Sequence, residues 1–247
     1  PKPQVMRMSE VRDIWDEGAQ FHDEIYAGNV PYHRSHEVLV DFLAGAQPIQ
    51  VLDLGAGTGT LAKSILGRLP ESSVTCIDFS SSMLAECERK LAAFGPRVQL
   101  VCADIVTWPP AGSYDAVVAC NTLVYKELDI GACYAKYAAA LAPGGLLLNS
   151  TVVQQESGIP NEVLASMPAQ DTSSPSRELL DFAARARKLA SFDEESLAIA
   201  LPVDEHLKLM TEAALTAACP WQYLTQALLL GLNTDTKEVL APLANPK

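Results

Sequence analysis

The run Val51-Leu52-Asp53-Leu54-Gly55-Ala56-Gly57-Thr58-Gly59 constrains this chain more than any other stretch. An apolar strand runs into a glycine-rich turn, and a helical pattern begins at once with Thr60. Gly55, Gly57 and Gly59 remove side chains where backbone approaches a ligand closely or adopts positive φ. The spacing is G-x-G-x-G, not the G-x-G-x-x-G of dinucleotide-binding turns. That difference, with no second half offering a general acid, sets aside a nicotinamide-dependent dehydrogenase. Asp53 stands two residues before the first glycine, and Asp78 closes the next apolar run.

Strand and helix patterns alternate from there. Strands are expected at Gln50–Leu54, Val74–Asp78, Val98–Cys102, Tyr114–Cys120 and Leu146–Val152. Helices are expected at Thr60–Leu69, Ser81–Phe94 (capped by Ser80 or Ser81) and Leu128–Leu141, the last ending at Pro143-Gly144-Gly145. Such alternation argues for a parallel sheet with helices on both faces. Before it, Ser9 to about Ala44 is helical in pattern, broken at Pro31 and resumed over His36–Leu43. After it, Gln154 to Asp193 is rich in Pro, Ser and polar residues around a helical stretch, Arg177–Ala190. Pro202–Leu215 is helical again, and Trp221–Gln226 and Ala227–Asn233 form two last strands. The expected fold is therefore α/β, a doubly wound, seven-stranded, mostly parallel sheet. One domain spans 1–247: a helical cover (1–45), a core (46–153), a helical lid insertion after strand five (154–201), the last helix and strands (202–236) and a tail (237–247).

Composition excludes several classes. The 247 residues are 49% hydrophobic and 19% charged, enough to bury a sizeable core. A net charge of −12 argues against nucleic-acid and anionic-membrane partners. No run of about 18 uncharged apolar residues exists, so no transmembrane helix is expected. Pro1-Lys2-Pro3-Gln4 carries no signal-peptide pattern and no initiator Met, which fits a domain cut from something longer. The six cysteines make no C-x-x-C pair, so no metal site is expected, and they read as small hydrophobes in a reducing, cytoplasmic compartment.

With these motifs in this order, the chain resembles the class I S-adenosylmethionine-dependent methyltransferases of the small-molecule type. The resemblance implies S-adenosylmethionine as cofactor and S-adenosylhomocysteine as product. Gly55, Ala56, Gly57 and Gly59 would pack against its methionine and ribose. Asp53 would lie near the ammonium, and Asp78 would accept two hydrogen bonds from the ribose diol. In Phe79-Ser80-Ser81-Ser82-Met83-Leu84, Met83 would pack on the adenine, and Phe79 is taken as a further cofactor-binding residue. Asp104 and Ile105, after strand three, would meet the adenine edge. Asn121, just past strand four, would lie near the sulfonium. In the N-terminal segment, similar to the cover of quinone-pathway C-methyltransferases, Tyr32 is taken as the cofactor-contacting tyrosine. His22-Asp23 stands there where Tyr-Asp is usual.

Acceptor-side candidates are His33, with His36 beside it, as a base at the cleft mouth, Tyr125 as donor, base or wall, and His206 on the last helix. The implied activity is methyl transfer to oxygen, nitrogen or activated carbon of a small molecule, free or tethered to a carrier protein, by a monomer or homodimer. Two alternatives stand beside it. One is an enzyme resembling those that make carboxy-S-adenosylmethionine for tRNA modification, with Arg185 or Arg187 for the extra carboxylate. The other is a cofactor-binding module without transfer.

Overall fold

A computed structural model of the chain describes residues 8–125, 127–154, 178, 200–223 and 226–233. Its strands are β1 (Gln50–Leu54), β2 (Ser73–Asp78), β3 (Val98–Cys102), β4 (Tyr114–Cys120), β5 (Leu141–Val152), β6 (Thr216–Tyr223) and β7 (Gln226–Leu232). Its α-helices are α1 (Met8–Gly18), α2 (His22–Tyr26), α3 (Val30–Ala46), α4 (Thr60–Arg68), α5 (Ser81–Leu91), α6 (Ile130–Ala138) and α7 (Val203–Glu212). The strands form one sheet in the order β3-β2-β1-β4-β5-β7-β6. All neighbours from β3 to β5 are parallel, and β7 is antiparallel to both β5 and β6.

Strand alternation sorts the core into two layers. Val51, Val74, Ala116, Val118 and Leu148 meet Leu39 and Leu43 of α3, Ile65 of α4 and Leu84 of α5 on one face. Leu52, Leu54, Val117, Leu147 and Leu229 meet Tyr134 and Tyr137 of α6 and Met210 of α7 on the other. Each fully buried Leu or Ile in these layers contributes roughly 1.5–3 kcal/mol. Because β1 has β2 on one side and β4 on the other, chain order reverses at β1. Open parallel sheets present a crevice for ligands at the carboxyl ends of the strands flanking such a reversal.

Local chemistry sets the element ends, and several differ from the sequence pattern. Pro31 does not break the N-terminal helical region; it sits in the first turn of α3, where its missing N–H costs nothing. The Asn29 side chain accepts from Tyr32 N at 3.0 Å and caps that turn. The region instead divides earlier, into α1, a 3-10 turn over Ala19–Phe21, and α2. Helix α6 starts at Ile130, because Asp129 accepts from Ala132 N at 2.9 Å. It ends at Ala138, short of Pro143, and β5 begins pairing at Tyr114↔Leu141 before an irregularity lets Ala116 meet Leu146. β6 begins at Thr216, before the expected start at Trp221. The expected lid (154–201), its basic cluster with Arg185 and Arg187, and the tail (237–247) fall almost wholly outside the described residues. No described helix is long and apolar enough to cross a membrane.

Gly59 shows what the third glycine does. It precedes α4 with φ +79°, and a Cβ there would lie 2.6 Å from Cys87 Sγ and 3.2 Å from Leu91 Cδ1 of α5. It lets α4 and α5 pack closely and does not line the cleft described below. Gly59→Ala should therefore destabilise by about 1–3 kcal/mol, from left-handed backbone strain plus overpacking. Urea unfolding measures it. Combined with Cys87→Ala, the loss should be smaller than the sum of the two, because the clash is shared.

Candidate functional site

A cleft of about 710 Å³, part of it open to solvent, lies over the carboxyl ends of β1, β2 and β4. The glycine turn is its floor. Gly55 (φ +61°) leaves no room for a side chain, since a Cβ would stand 2.5 Å from Thr122 Oγ1 and Cγ2. Thr122 is in turn held by its hydroxyl, which donates to Leu54 O at 2.8 Å. Gly57 (φ +53°) faces the open cleft, with His22 Nε2 at 3.9 Å the nearest atom to a Cβ placed there.

Two buried carboxyls flank the turn in different states. Asp78 accepts from Gly57 N at 2.9 Å through one oxygen and from Ser80 N at 2.8 Å through the other. Burial raises its pKa, and those two N–H groups oppose the rise. Asp53 is 1% exposed, and its Oδ2 has no hydrogen-bond partner. Burial first, and the Asp78 charge second, push it up to about 8. An unpaired carboxyl so deeply buried stays protonated unless a cation arrives to share the site.

The N-terminal segment forms the roof. Trp15, His22, Tyr26, Tyr32 and His36 all line the cleft. Their rings pack against one another at tilted angles, His22–Tyr26 at 4.9 Å, Tyr26–Tyr32 at 4.6 Å and Tyr32–His36 at 4.2 Å between centroids. Three polar ties hold the roof down. Trp15 Nε1 donates to Tyr125 OH at 2.8 Å. Ser80 Oγ donates to Asp16 Oδ1. Asp23 pairs with Lys90 Nζ at 2.6 Å and accepts from Thr58 Oγ1 at 2.7 Å. The hydrogen bond from His22 leads the effects that hold the Asp23 carboxyl well below the usual range, and Lys90 and Thr58 add to it.

The structure gathers most of the expected site residues and scatters the rest. Tyr32, Asp53, Gly55, Ala56, Gly57, Asp78, Phe79, Met83, Asn121 and Tyr125 line the cleft. Asp104 does not: its side chain accepts from Val106 N at 2.8 Å and shapes its own loop. Ile105 packs in the core beneath α6, its carbonyl accepting from Tyr137 OH at 2.7 Å. His33 lies in an outer groove between α3 and α4, with Nε2 2.9 Å from Tyr26 O. His206 is 1% exposed and sits on the opposite face of the sheet, bonded to Tyr134 OH at 2.9 Å. Its place on an apolar helix stripe was the available sign of a core role.

Sequence reasoning missed Trp15, Tyr26, Thr58 and Cys120, and treated His22 as a departure from pattern only. The aromatic spacing of 15, 22, 26, 32 and 36 was visible, but not which face it served. Among the acceptor-side groups, none is set up as a base. Burial raises the Tyr125 phenol, pushes Tyr26 up to about 12 and pushes His36 down to about 3. His36 Nε2 lies 2.9 Å from Cys120 Sγ, whose thiol burial pushes up to about 12, so this is a neutral pair.

Comparison with known proteins turns this geometry into a family assignment. Residues 51–145 match the family described as "Methyltransferase domain". This stretch carries a methyltransferase domain, and the fold around it is that of the S-adenosylmethionine-dependent methyltransferases. The methyltransferase fold is shared by magnesium protoporphyrin IX methyltransferase (ChlM) from Synechocystis PCC 6803 with bound S-adenosylhomocysteine. That similarity has a TM-score of 0.67 at 18% identity and covers 92% of this chain and 100% of that one. The DhpI–S-adenosylhomocysteine complex aligns with a TM-score of 0.62 at 21% identity, over 91% and 96%. Among curated sequences, the chain is 35% identical over 100 residues to trans-aconitate 2-methyltransferase of Acidovorax sp. (strain JS42), which is 40% of this chain and 37% of that protein. It is 34% identical to malonyl-[acyl-carrier protein] O-methyltransferase of Halalkalibacterium halodurans over 42% and 40%. It is 36% identical to demethylmenaquinone methyltransferase of Thermus thermophilus over 44% and 50%. The chain thus spans half or less of the length of these curated relatives.

The residues present fit the family's cofactor. Its ammonium would offer Asp53 Oδ2 the cation that this atom lacks, and the bare Gly57 leaves room above the turn. A pH series probes this site without any ligand. Asp53 titrates from 3.8 unfolded to about 8 folded, so the stability it contributes is present below about pH 4 and lost as pH rises through 8. The unfolding midpoint should fall over that window, and Asp53→Asn should flatten the fall. His206→Ala should cost about 2–4 kcal/mol, through a cavity and a weakened Tyr134 hydroxyl network, while leaving S-adenosylhomocysteine affinity unchanged.

Proposed function

We propose that this domain transfers the methyl group of S-adenosylmethionine to an anionic oxygen, a carboxylate or its chemical equivalent, on a small molecule that is free or tethered to a carrier protein. The observation that carries the cofactor half is the unpartnered, buried Asp53 Oδ2 beside an Asp78 whose two oxygens are already aimed by Gly57 N and Ser80 N. Asp53 takes the ammonium. Asp78, oriented before the ligand arrives, accepts from the ribose hydroxyls, in charge-assisted bonds stronger than neutral ones. Phe79 and Met83 wall the adenine side, and Asn121 and Tyr125 wall the side from which the acceptor approaches.

The cofactor supplies an activated methyl group on a sulfonium, so the protein's task is to hold the nucleophile in line and to exclude water. The acceptor half of the reading rests on the groups around that line. An amine or alcohol would have to lose a proton, and a good base has a pKa near the working pH. His36 is far below it, while Tyr26, Tyr125 and Cys120 are far above it. A carboxylate needs no base. Two relatives support this choice by name, since trans-aconitate and the malonyl group are both acids.

Calorimetric titration with S-adenosylmethionine and S-adenosylhomocysteine tests the first half. Wild type should bind both, and Asp78→Ala should lose at least about tenfold in affinity, the loss of one or two charge-assisted hydrogen bonds. Labelled S-adenosylmethionine with trans-aconitate, malonyl-[acyl-carrier protein], simple phenols and simple amines tests the second. Label in base-labile ester from the acids supports an oxygen acceptor. Label in amines alone would reverse that assignment.

A further inference from the structure

The imidazole of His22 has no role in the motif-based reading, yet it hangs over the middle of the glycine turn. Its Nε2 is the atom nearest to the bare face of Gly57, and among the described residues no hydrogen bond occupies that nitrogen. The other nitrogen is turned outward: Nδ1 lies 3.4 Å from Asp23 Oδ1 and 3.5 Å from Thr58 Oγ1. The ring is wedged between Trp15 and Tyr26, with centroids 6.0 and 4.9 Å away. A side chain so constrained on three sides has one free direction, into the cleft.

What lies in that direction is set by the neighbouring charges. Across the floor stands Asp53, buried and wanting a cation. Beside His22 begins α4, whose first turn has no side-chain cap, so its free N–H groups and the helix dipole favour negative charge there. Thr58 and Thr60 complete this end, and Lys90 Nζ donates to both hydroxyls at 2.8 Å. A cation-seeking carboxyl facing a donor-rich edge suits a ligand group with both signs of charge, an α-amino acid.

We propose that His22 is a cofactor-binding residue that donates from Nε2 to the carboxylate of the amino-acid end of S-adenosylmethionine, and that Asp23, fixed by Lys90 and Thr58, positions it. This rests on the reading of the cleft as the cofactor site and adds a residue from the roof to it. Asp23 faces Nδ1 at 3.4 Å and fixes the orientation of the ring, so that Nε2 is turned toward the cleft. Lys90 fixes Asp23 from α5, and Thr58 fixes it from the turn itself. The roof and floor of the cleft are thereby joined through one side chain that also meets the ligand.

The test compares two ligands that differ only in the carboxylate. S-adenosylhomocysteine has it, and 5′-(3-aminopropylthio)-5′-deoxyadenosine keeps the ammonium and lacks the carboxylate. Both are titrated by calorimetry into wild type, His22→Ala, His22→Gln and Asp23→Asn. His22→Ala should weaken S-adenosylhomocysteine about ten- to hundredfold, the range for a hydrogen bond to a charged group. It should change the amine analogue by less than about twofold. His22→Gln, which keeps an N–H donor, should recover part of the loss, and Asp23→Asn should show the same ligand selectivity in weaker form. Analogue binding also reports that each variant is folded. Equal losses for both ligands would make His22 a packing residue and overturn the proposal, as would an unchanged affinity for S-adenosylhomocysteine. Failure of wild type to bind either ligand would instead remove the cofactor reading of the cleft, and this proposal with it.

Discussion

The architecture around the cleft depends on one carboxylate. Asp78 ends β2 and accepts from Gly57 N with one oxygen and from Ser80 N with the other. The first bond fixes the glycine turn after β1. The second fixes the residue that caps α5, because Ser80 Oγ accepts from Met83 N at 3.1 Å. The same Ser80 hydroxyl donates to Asp16 of α1 and so reaches the roof. Turn, helix start and cover are therefore referenced to a single side chain. Its burial raises the energy of the ionised form, and the backbone donors compensate for only part of that.

Asp53 makes the opposite bargain with its surroundings. It gives up solvation without gaining a partner, and the fold carries that cost in its β1 strand. Sites that hold strain or unsatisfied groups are usually those a ligand completes. The neighbouring features agree. Gly55 is forced by Thr122, and Asn121, on the same loop, adopts a positive φ of 51°, a conformation that asparagine tolerates better than most side chains. Gln226 Nε2 donates to Asn121 Oδ1 at 3.2 Å and to Ser150 Oγ at 2.9 Å, so β7 braces this loop from below.

Much of this was readable from sequence where the information is local. β1, β3 and β4 occupy the residues that their apolar runs indicate, because a strand buried on both faces leaves a continuous signature. Gly55, Asp78 and Met83 were legible because their spacing is imposed by one turn and one helix start. Pro31 misled because the same residue that breaks a helix interior is welcome in its first turn, and Asn29 decides which applies. His33 and His36 differ by less than one turn, yet only His36 lines the cleft. Asp104 and Ile105 followed the right strand, but the loop turns its polar atoms on itself. The roof was least legible. Its contacts, such as Trp15 to Tyr125 and Asp23 to Lys90, join segments far apart in sequence, and no periodicity records them.

The two ends of the cleft ask different things of the chain. At the floor, the proposed cofactor contacts come from residues that also hold the core together, so they are rigid and expensive to vary. At the roof, the same cleft is closed by aromatic rings packed against one another at tilted angles, with polar ties at the edges. Rings packed in this way tolerate exchange of one aromatic for another more readily than a bidentate carboxylate tolerates any change. Variation among related chains can then concentrate in the roof and in whatever meets it, altering the acceptor while the turn stays fixed. The family model matches residues 51–145, a stretch that begins at the glycine turn and leaves out the aromatic roof, and that is the part of the molecule this division of labour would keep constant.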